Sequence, residues 1–385
     1  MDNLFEGGPP LKIEHLLHLV KPEDPGIARR ALIVALISWG PLLALTMFQE
    51  LVRHNGSLWG FLLDFGAYAR FLLAAPIFIL AEAWCLPTLG RVTRHFLDFG
   101  IVRDSDRERF DTVVRATRRL LNSTLAEILT VILAYVAAAA LRISVHIPNL
   151  PGWSVQPDSQ GLALSPAGLW QLWVSLPLLF ILFFGWMWRQ FLWCRLMWRI
   201  AHFDLNLVAG HPDRAGGLRF LGTALWGYCP LAFALAVAVA GGLANQIRVG
   251  ASLNDFRLLV IAFLLFVLAF FVAPFLVFTP ALRRLRSGGT VEYGTLSCDV
   301  GHEFEAKWLN NGGRNDKSEA LSAPDFSATT DLYSIVSNVY QIRYLPFGSK
   351  EVGELIVFTL LPFVPVVILS VPVDTLLRDL KQILF

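Results

Sequence analysis

The sequence predicts an all-α integral membrane protein with about seven transmembrane helices. Long apolar runs recur along its 385 residues. Charged residues make up only 16% of the chain, whereas a soluble protein usually has about a quarter. The loops between these runs are alternately rich and poor in lysine and arginine. Together these three features are typical of a multi-pass membrane protein.

Each of the seven apolar runs is about long enough to cross a hydrocarbon core of roughly 30 Å with modest tilt. The predicted spans are 31–48, 67–86, 120–141, 169–188, 221–243, 258–278 and 355–371. Proline interrupts several of them, and the seventh contains Pro362 and Pro365. Whether this last run crosses the membrane or re-enters it is left open by the sequence.

The distribution of basic residues predicts the orientation of the chain. With seven spans, 25 of the 32 lysines and arginines fall on one side of the membrane, six fall on the other, and Arg70 lies within a span. Because cytoplasmic segments carry the excess of basic residues, we expect a cytoplasmic N-terminus and an external C-terminus. The arginine-rich composition is typical of a bacterial protein, so the expected location is the bacterial inner membrane.

The predicted domain organisation follows from these spans. A cytoplasmic N-terminal segment precedes a bundle of six spans with two cytoplasmic helical extensions, and a cytoplasmic loop region separates the bundle from the last span and an outer amphipathic tail. In the same order the ranges are 1–30, 31–280 with extensions at 87–119 and 189–218, 281–352, and 353–385. Residues 11–20 are predicted to form an amphipathic helix on the membrane surface.

The stretch 168–209 is the predicted central strut of the bundle. An apolar span passes into a segment rich in tryptophan and arginine, with no glycine or proline from 186 to 209. A single helix of this length would be about 60 Å long, twice the hydrocarbon thickness. The tryptophans are interpreted as an interfacial belt, or alternatively as a pocket for a lipid headgroup.

A turn is predicted directly after this strut, in the sequence HPDRAGG. Pro212 restricts its own φ angle, Asp213 can accept backbone hydrogen bonds, and Gly216 and Gly217 allow the chain to reverse. His211 is a candidate pH-sensitive or ligand-contacting group. The same tripeptide occurs in J-domain co-chaperones, but the four-helix context of that domain is missing here. We therefore interpret the segment as a structural turn.

Charged residues inside the spans are the strongest functional signal. Burying a charge in the bilayer costs at least about 2.5–3.5 kcal/mol, so such groups are usually paired or functional. Glu82, Glu127 and Arg189 are predicted to lie at similar depth near the cytoplasmic side, and Arg70 near the outer side. The first three form either a structural ion-pair network or a site for a proton, a cation or a solute. Arg70 can snorkel to the outer interface.

No enzyme motif accompanies these charges. The segment GHEFEAKW contains His302 but lacks the second histidine of HExxH, and the sequence has no GxSxG, Walker A or GxGxxG pattern. The four cysteines form no CxxC pair, and the eight histidines lie outside the apolar runs. We expect no catalytic residue, metal or cofactor. Membrane lipids, a second copy of the chain and a cytoplasmic protein are the partners left open, and nucleic acid is not expected.

Two segments together resemble a known group of sequences. HPDRAGGLRFLG, after the aromatic and arginine-rich helix, and YGTLSCDVGHEFEAKWL in the last cytoplasmic loop resemble bacterial multi-pass integral membrane proteins with an HPDxxGGLxFLG turn. The resemblance covers roughly 185–345. It implies a bacterial membrane protein, but no activity or site residue is carried over.

The sequence therefore supports two hypotheses about function. The first is a bacterial inner-membrane channel or transporter for an ion or small solute, because of the charges within proline-containing spans. The alternative is a non-catalytic scaffold or sensor whose arginine-rich helices dock a cytoplasmic partner or an anionic lipid. An enzyme acting on lipid would need a base such as Glu127 or His211, and is the least supported hypothesis.

Overall fold

A computed structural model describes residues 4–5, 7–9, 26–54, 56–145, 150–158, 161–309 and 324–370 of the chain. In this part of the chain seven helices are long and apolar enough to cross a membrane, which confirms the predicted fold class. They are α1 (Ile27–Arg53), α3 (Phe65–Asp98), α5 (Thr124–Ser144), α6 (Pro166–Ala201), α7 (Arg219–Arg248), α8 (Leu253–Leu276) and α11 (Ser349–Ser370).

The remaining elements lie between these seven helices. They are α2 (Ser57–Leu62), α4 (Arg107–Leu121), a hairpin of β1 (Val155–Asp158) and β2 (Gly161–Leu164), α9 (Thr279–Trp308) and α10 (Pro324–Tyr340). The strands pair antiparallel, with Val155 opposite Leu164. In α11 a single 3₁₀ turn, Leu361–Phe363, accommodates the prolines of the last span, so the helix continues to Ser370.

Two groups of contacts define two sides of the molecule. On one side, side chains from the start of α1, from the middle of α3 and from about two thirds of the way along α6 meet at Glu82. On the other side, the start of α3, the end of α7 and the segment before β1 meet at Asp64. We call these the basic side and the far side, because α4 and α9, which contain many arginines, belong to the first together with α10.

α3 and α7 form the centre of the bundle. They are the most deeply buried of the seven long helices, and α8 and α11 are among the least buried. Gly241 of α7 lies against α3, where an added Cβ atom would collide with the Cβ of Ala69 and lie 3.0 Å from the carbonyl oxygen of Phe65. The adjacent Gly242 has open space around it. Close approach of the two central helices therefore depends on one of the two glycines.

The central strut is shorter than the sequence predicts. α6 ends at Ala201, and residues 202–218 are irregular or in turns. The amide of Asn206 donates to the carbonyl of Ile101, and Phe203 stacks under the guanidinium of Arg109. Asp204 and Asn206 are weak helix formers, so these tertiary contacts prevail over continuation of the helix.

The extension at 87–119 is also divided differently from the prediction. α3 itself runs to Asp98, and α4 and α5 are separate helices with a break at Asn122 and Ser123. At the break the side chain of Asn122 accepts a hydrogen bond from the amide of Gly8. Residues 7–9 thus pack against the helices at Asn122 and Gly185, whereas the sequence predicts a cytoplasmic N-terminal segment with an amphipathic helix on the membrane surface.

α9 is a helix of 30 residues that the sequence analysis did not predict, because the segment contains several glycines. It pairs with α10, and Gly289 lies where an added Cβ would approach Val339 of α10 and Ala209 of the irregular segment within about 3 Å. The packing of α9 and α10 compensates for the low helix propensity of glycine. The predicted amphipathic helices at 11–20 and in the tail after 370 lie outside the described residues.

Alanine at the two adjacent glycines of α7 should have opposite effects. Gly241→Ala forces α7 away from α3, and overpacking of this kind costs about 1–3 kcal/mol. Gly242→Ala, in open space on the same helix, should be neutral or stabilising because alanine favours helix. Thermal unfolding of both variants in one detergent checks this expectation. Equal unfolding temperatures for the two variants would contradict the close contact.

Candidate functional site

A buried ion-pair cluster joins three spans near the basic side. Glu82 of α3 is only 7% exposed and lies between two arginines. Its Oε2 is 2.9 Å from Nη1 of Arg30 at the start of α1, and its Oε1 accepts a hydrogen bond of 3.0 Å from Nη2 of Arg189 in α6. One carboxylate therefore bridges two guanidinium groups away from water, which leaves a net positive charge of one on the three side chains.

The N-terminal segment completes this cluster. Nη2 of Arg189 also donates to the carbonyl oxygen of Gly7, at 3.0 Å, and its guanidinium lies 5.2 Å from the ring centre of Trp186. Leu4 and Phe5 are buried, and Phe5 contacts the ring of Trp193 edge-on. The chain thus closes the bundle on the basic side with an ion pair, a backbone carbonyl and an aromatic contact.

The predicted association of Glu127 with this cluster is not seen. Glu127 is buried on α5, which packs along α6, but no ion pair or hydrogen bond joins it to Glu82 or Arg189 in the described part of the chain. The third charged side chain of the cluster is Arg30, whereas the sequence predicts Glu127. In the sequence Arg30 reads as a charge flanking the first span, and only the earlier start of α1 places it inside the bundle.

A second polar cluster lies on the far side around Asp64, which the sequence analysis did not single out. Oδ1 of Asp64 accepts from Nδ2 of Asn245 at 2.6 Å and from the amide of Ala67 at 2.9 Å. Oδ2 accepts from the indole of Trp153 at 2.9 Å. Asp64 is 3% exposed and all of these partners are close, so it fastens the loop before β1 to α3 and α7.

Arg70 lies six residues beyond Asp64, in an unusual part of α3. Residues Tyr68–Ala74 form a π-helix, and Gln171–Ser175 of α6 form another. Such segments interrupt regular helices frequently at functional sites. The hydroxyl of Ser38 donates to the carbonyl of Phe71, and that of Ser175 donates to the carbonyl of Ser38. These hydroxyls link the backbones of α1, α3 and α6 at the depth of the two π-helices.

A cavity of about 350 Å³ lies on the far side between these π-helices. Its polar lining comes from α3, α5, α6, α7 and the far-side loop, namely Arg70, Arg142, Ser154, Gln171 and Gln246. Among the residues that the structure describes, no acidic side chain lines it. Nε of Arg70 donates to the carbonyl of Gly66 at 2.9 Å, and in the described part of the chain no carboxylate lies within 4 Å of its guanidinium.

Apolar packing separates this cavity from the Glu82 cluster. Arg70 and Glu82 are about 18 Å apart along α3 at 1.5 Å per residue. The buried side chains of α3 between them are apolar, and they are Phe71, Ala74, Ala75, Phe78, Ile79 and Ala81. The structure therefore brings Glu82 and Arg189 together and places Arg70 at a different site, with apolar buried side chains of α3 between the two.

The HPDRAGG segment forms a tight turn around Asp213. Oδ1 of Asp213 accepts from the amides of Ala215 and Gly217, and Oδ2 accepts from the amide of Arg219. Gly216 and Gly217 have φ angles of 63° and 94°, which favour glycine. Nδ1 of His211 lies 2.8 Å from Oδ1 of Asp213.

Electrostatics at this turn follow from those hydrogen bonds. Burial raises the pKa of Asp213, but the backbone amides of Ala215, Arg219 and Gly217, together with His211, outweigh it and lower the pKa below the ordinary value of 3.8. Pro212 lies between His211 and Asp213 in this turn. The ionised carboxylate is thus part of the folded turn and has no free oxygen directed toward a ligand.

Comparison of the chain with protein-family models, with curated proteins and with solved structures finds no match. The resemblance of its turn to bacterial membrane proteins stays a prediction. Among the described residues no group of three or more histidine, cysteine, aspartate or glutamate side chains is arranged to hold a metal ion.

Neutralising Glu82 should strongly destabilise the fold. In Glu82→Gln two arginines stay buried without their carboxylate, and removing one partner of a buried ion pair costs about 3–5 kcal/mol. The matched control is Asp98→Asn in the same helix, because Asp98 forms an exposed pair with Arg94 and should contribute about 1 kcal/mol or less. Thermal unfolding of the detergent-solubilised variants measures both. Similar losses of stability in the two variants would show that the ion pairs of Glu82 do not hold the bundle together.

Neutralising Asp213 should destabilise the turn in a pH-dependent way. Asp213→Asn loses one acceptor and the charge, at a cost of about 1–3 kcal/mol. Because the folded pKa is lowered, this stabilisation is fully present above pH 3.8 and is lost as the pH falls through the folded pKa. Unfolding measured from pH 3 to 7 should therefore show wild type and variant converging at the acid end.

Asp204→Asn serves as the control for the turn, since Asp204 lies in the same segment and forms an exposed pair with Arg103. It should change stability little at any pH. A parallel offset between wild type and Asp213→Asn across the whole range would argue against the ionised carboxylate as the stabilising group.

Proposed function

We propose that the protein is a bacterial inner-membrane transporter that binds a small anion with a carboxylate or phosphate group in the far-side cavity. The observation that carries this proposal is Arg70, a membrane-embedded arginine with no carboxylate within 4 Å, in a π-helical segment that lines a cavity of about 350 Å³. A guanidinium in a partly dry site favours a planar anion that it can contact through two hydrogen bonds.

The rest of the cavity supports an anionic solute. Arg142 adds a second positive charge, and Gln171 and Gln246 supply amides that can donate to further oxygens. The other lining groups, such as Leu141, Leu172 and Leu176, are apolar, as in most sites for small molecules. A cation would meet two arginines and no acid here, so the proposal differs from a carboxylate-based proton or cation site.

The closed basic side supports an outward-facing state of such a transporter. The Glu82 cluster with its inserted N-terminal segment and the apolar packing above it separate the cavity from the basic side. Transport would require the ion pairs of Glu82 to part as Arg70 becomes accessible from the opposite side. In this proposal the basic side is cytoplasmic, following the distribution of lysine and arginine, and Glu82 acts as a gate and not as a binding residue.

A membrane sensor is the second candidate function. The observation in its favour is the turn at 202–217, which contacts both the end of α3 and the α9–α10 hairpin. The amide of Asn206 donates to Ile101, and the amide of Arg343 donates to the carbonyl of Arg214. Binding in the far-side cavity could be relayed through α6 to the basic-side helices without solute crossing the membrane.

The charge of Arg70 should be essential for binding and for flux. In proteoliposomes the wild type is expected to take up at least one of labelled acetate, succinate or phosphate, and Arg70→Gln should reduce affinity about 10- to 100-fold, as for a lost charged hydrogen bond. Arg53→Gln is the control, because Arg53 is exposed at the far-side end of α1 and does not line the cavity.

Three outcomes separate the hypotheses. Flux that is lost in Arg70→Gln and kept in Arg53→Gln supports the transporter. Ligand-induced thermal stabilisation that depends on Arg70, with no flux above empty liposomes, supports the sensor. If none of the three anions is transported and none stabilises the protein, an anion site at Arg70 is ruled out for these probes.

A further inference from the structure

A second cavity, of about 640 Å³, lies on the basic side and plays no part in the proposed transport. Its polar lining consists of Arg283, Arg286, Ser287 and Thr290 from α9, and of Tyr340 and Tyr344 from the end of α10 and the segment after it. None of the described residues that line it is acidic. The cavity therefore combines two guanidinium groups with four hydroxyl groups.

Both arginines are held by an aromatic ring. The guanidinium carbons of Arg283 and Arg286 lie 5.6 Å and 4.9 Å from the ring centre of Tyr344. Such contacts hold a guanidinium in place while its N–H groups can still donate to an anion. In the described part of the chain neither arginine forms an ion pair with a carboxylate within 4 Å, so their charges are not neutralised by the protein.

The walls of the cavity are fixed by the packing of the hairpin. Gly289 allows α9 to lie against Val339 of α10, next to the arginines. The amide of Arg343, beside Tyr344, donates to the carbonyl of Arg214 in the turn after α6. The two arginines and the two tyrosines therefore come from elements that are attached to each other and to the bundle.

The position of the cavity relative to the membrane indicates where its ligand comes from. α9 starts two residues after the end of α8, the sixth span. Arg283 and Arg286 follow Leu276 by about 10 Å and 15 Å of helix at 1.5 Å per residue, and their long side chains can reach back toward the headgroups that border the hydrocarbon core. Basic pockets at this depth can bind the phosphates of anionic lipids.

We propose that this cavity is a phosphate-binding site that takes the headgroup of an anionic phospholipid. Arginines that are not neutralised contact the phosphate oxygens, the hydroxyl of Ser287 adds a donor, and the remaining volume accommodates the rest of a headgroup. The hydroxyl of Thr290 donates to the carbonyl of Arg286 and serves only as part of the polar wall. A soluble phosphate ester shares the same chemistry, and the two sources can be separated by experiment. The site differs in location, lining and side of the membrane from the cavity at Arg70.

Isothermal titration of the purified full-length protein in detergent tests the proposal. The probes are a short-chain phosphatidylglycerol, a phosphatidylcholine of equal chain length, and glycerol 3-phosphate. The double variant Arg283→Gln with Arg286→Gln should bind phosphatidylglycerol at least about tenfold more weakly than wild type. Arg284→Gln is the matched control, because Arg284 is exposed between the two arginines, bonds to its own helix at Pro280 and does not line the cavity.

Tyr344→Leu provides a variant that keeps both charges and removes the ring beneath them. It should weaken phosphatidylglycerol binding several-fold, and an unchanged unfolding temperature would show that the hairpin is intact. Phosphatidylglycerol binding that far exceeds glycerol 3-phosphate binding identifies the lipid as the source, and equal binding of both identifies a soluble phosphate ester in the same site. Equal weakening by Arg284→Gln and by the double variant, or phosphatidylcholine binding as tight as phosphatidylglycerol binding, would overturn the proposal.

Discussion

The bundle depends on one carboxylate, Glu82, that bridges two arginines from different spans. Three ionised groups at the edge of a hydrocarbon core are costly to bury, and the cost is tolerable only because each charge has a close partner. Through Arg30 the carboxylate holds the start of α1, and through Arg189 it holds the part of α6 on the basic side. Arg189 also donates to the carbonyl of Gly7. The position of the N-terminal segment and the closed basic side both follow from this contact. Apolar side chains alone, facing lipid and protein equally well, would not specify such an arrangement.

The far side is constructed on a different principle, because among the described residues no arginine lies within 4 Å of its buried carboxylate. Asp64 accepts hydrogen bonds from an amide, an indole and a backbone N–H, so Arg70, six residues further along the chain, forms no close ion pair with it. The π-helices of α3 and α6 widen the helix backbone at this depth, and the hydroxyls of two serines donate the hydrogen bonds to backbone carbonyls that link them through α1. The guanidinium of Arg70 lies beside a cavity and has N–H groups that can donate to an anion. The proposed transport function rests on this arrangement.

The basic side joins its helices through the turn at Asp213. α6 stops at Ala201, and the following segment runs under the end of α3 before the turn contacts the segment after α10. Three arginine-rich pieces that are far apart in sequence thereby become one surface. Within that surface most arginines are exposed or paired, and only Arg283 and Arg286 share an aromatic ring and a cavity. The phosphate site on this side and the anion cavity on the far side are thus separate features of one fold.

The sequence by itself determined the class of the protein, the number of spans, the tight turn at Asp213 and the presence of charge at Arg70, Glu82 and Arg189. These follow from local properties, namely apolar run length, turn residues, and single charges within apolar runs. Only the tertiary structure decided that Arg30 and not Glu127 joins Glu82, because that choice depends on where α1 begins and how three helices are rotated. The same holds for the end of α6 at Ala201 and for the glycine-containing helix α9. There, contacts with Ile101 and α10 outweigh intrinsic helix propensity, which is worth only about 1 kcal/mol per residue and is all that a local sequence pattern reports.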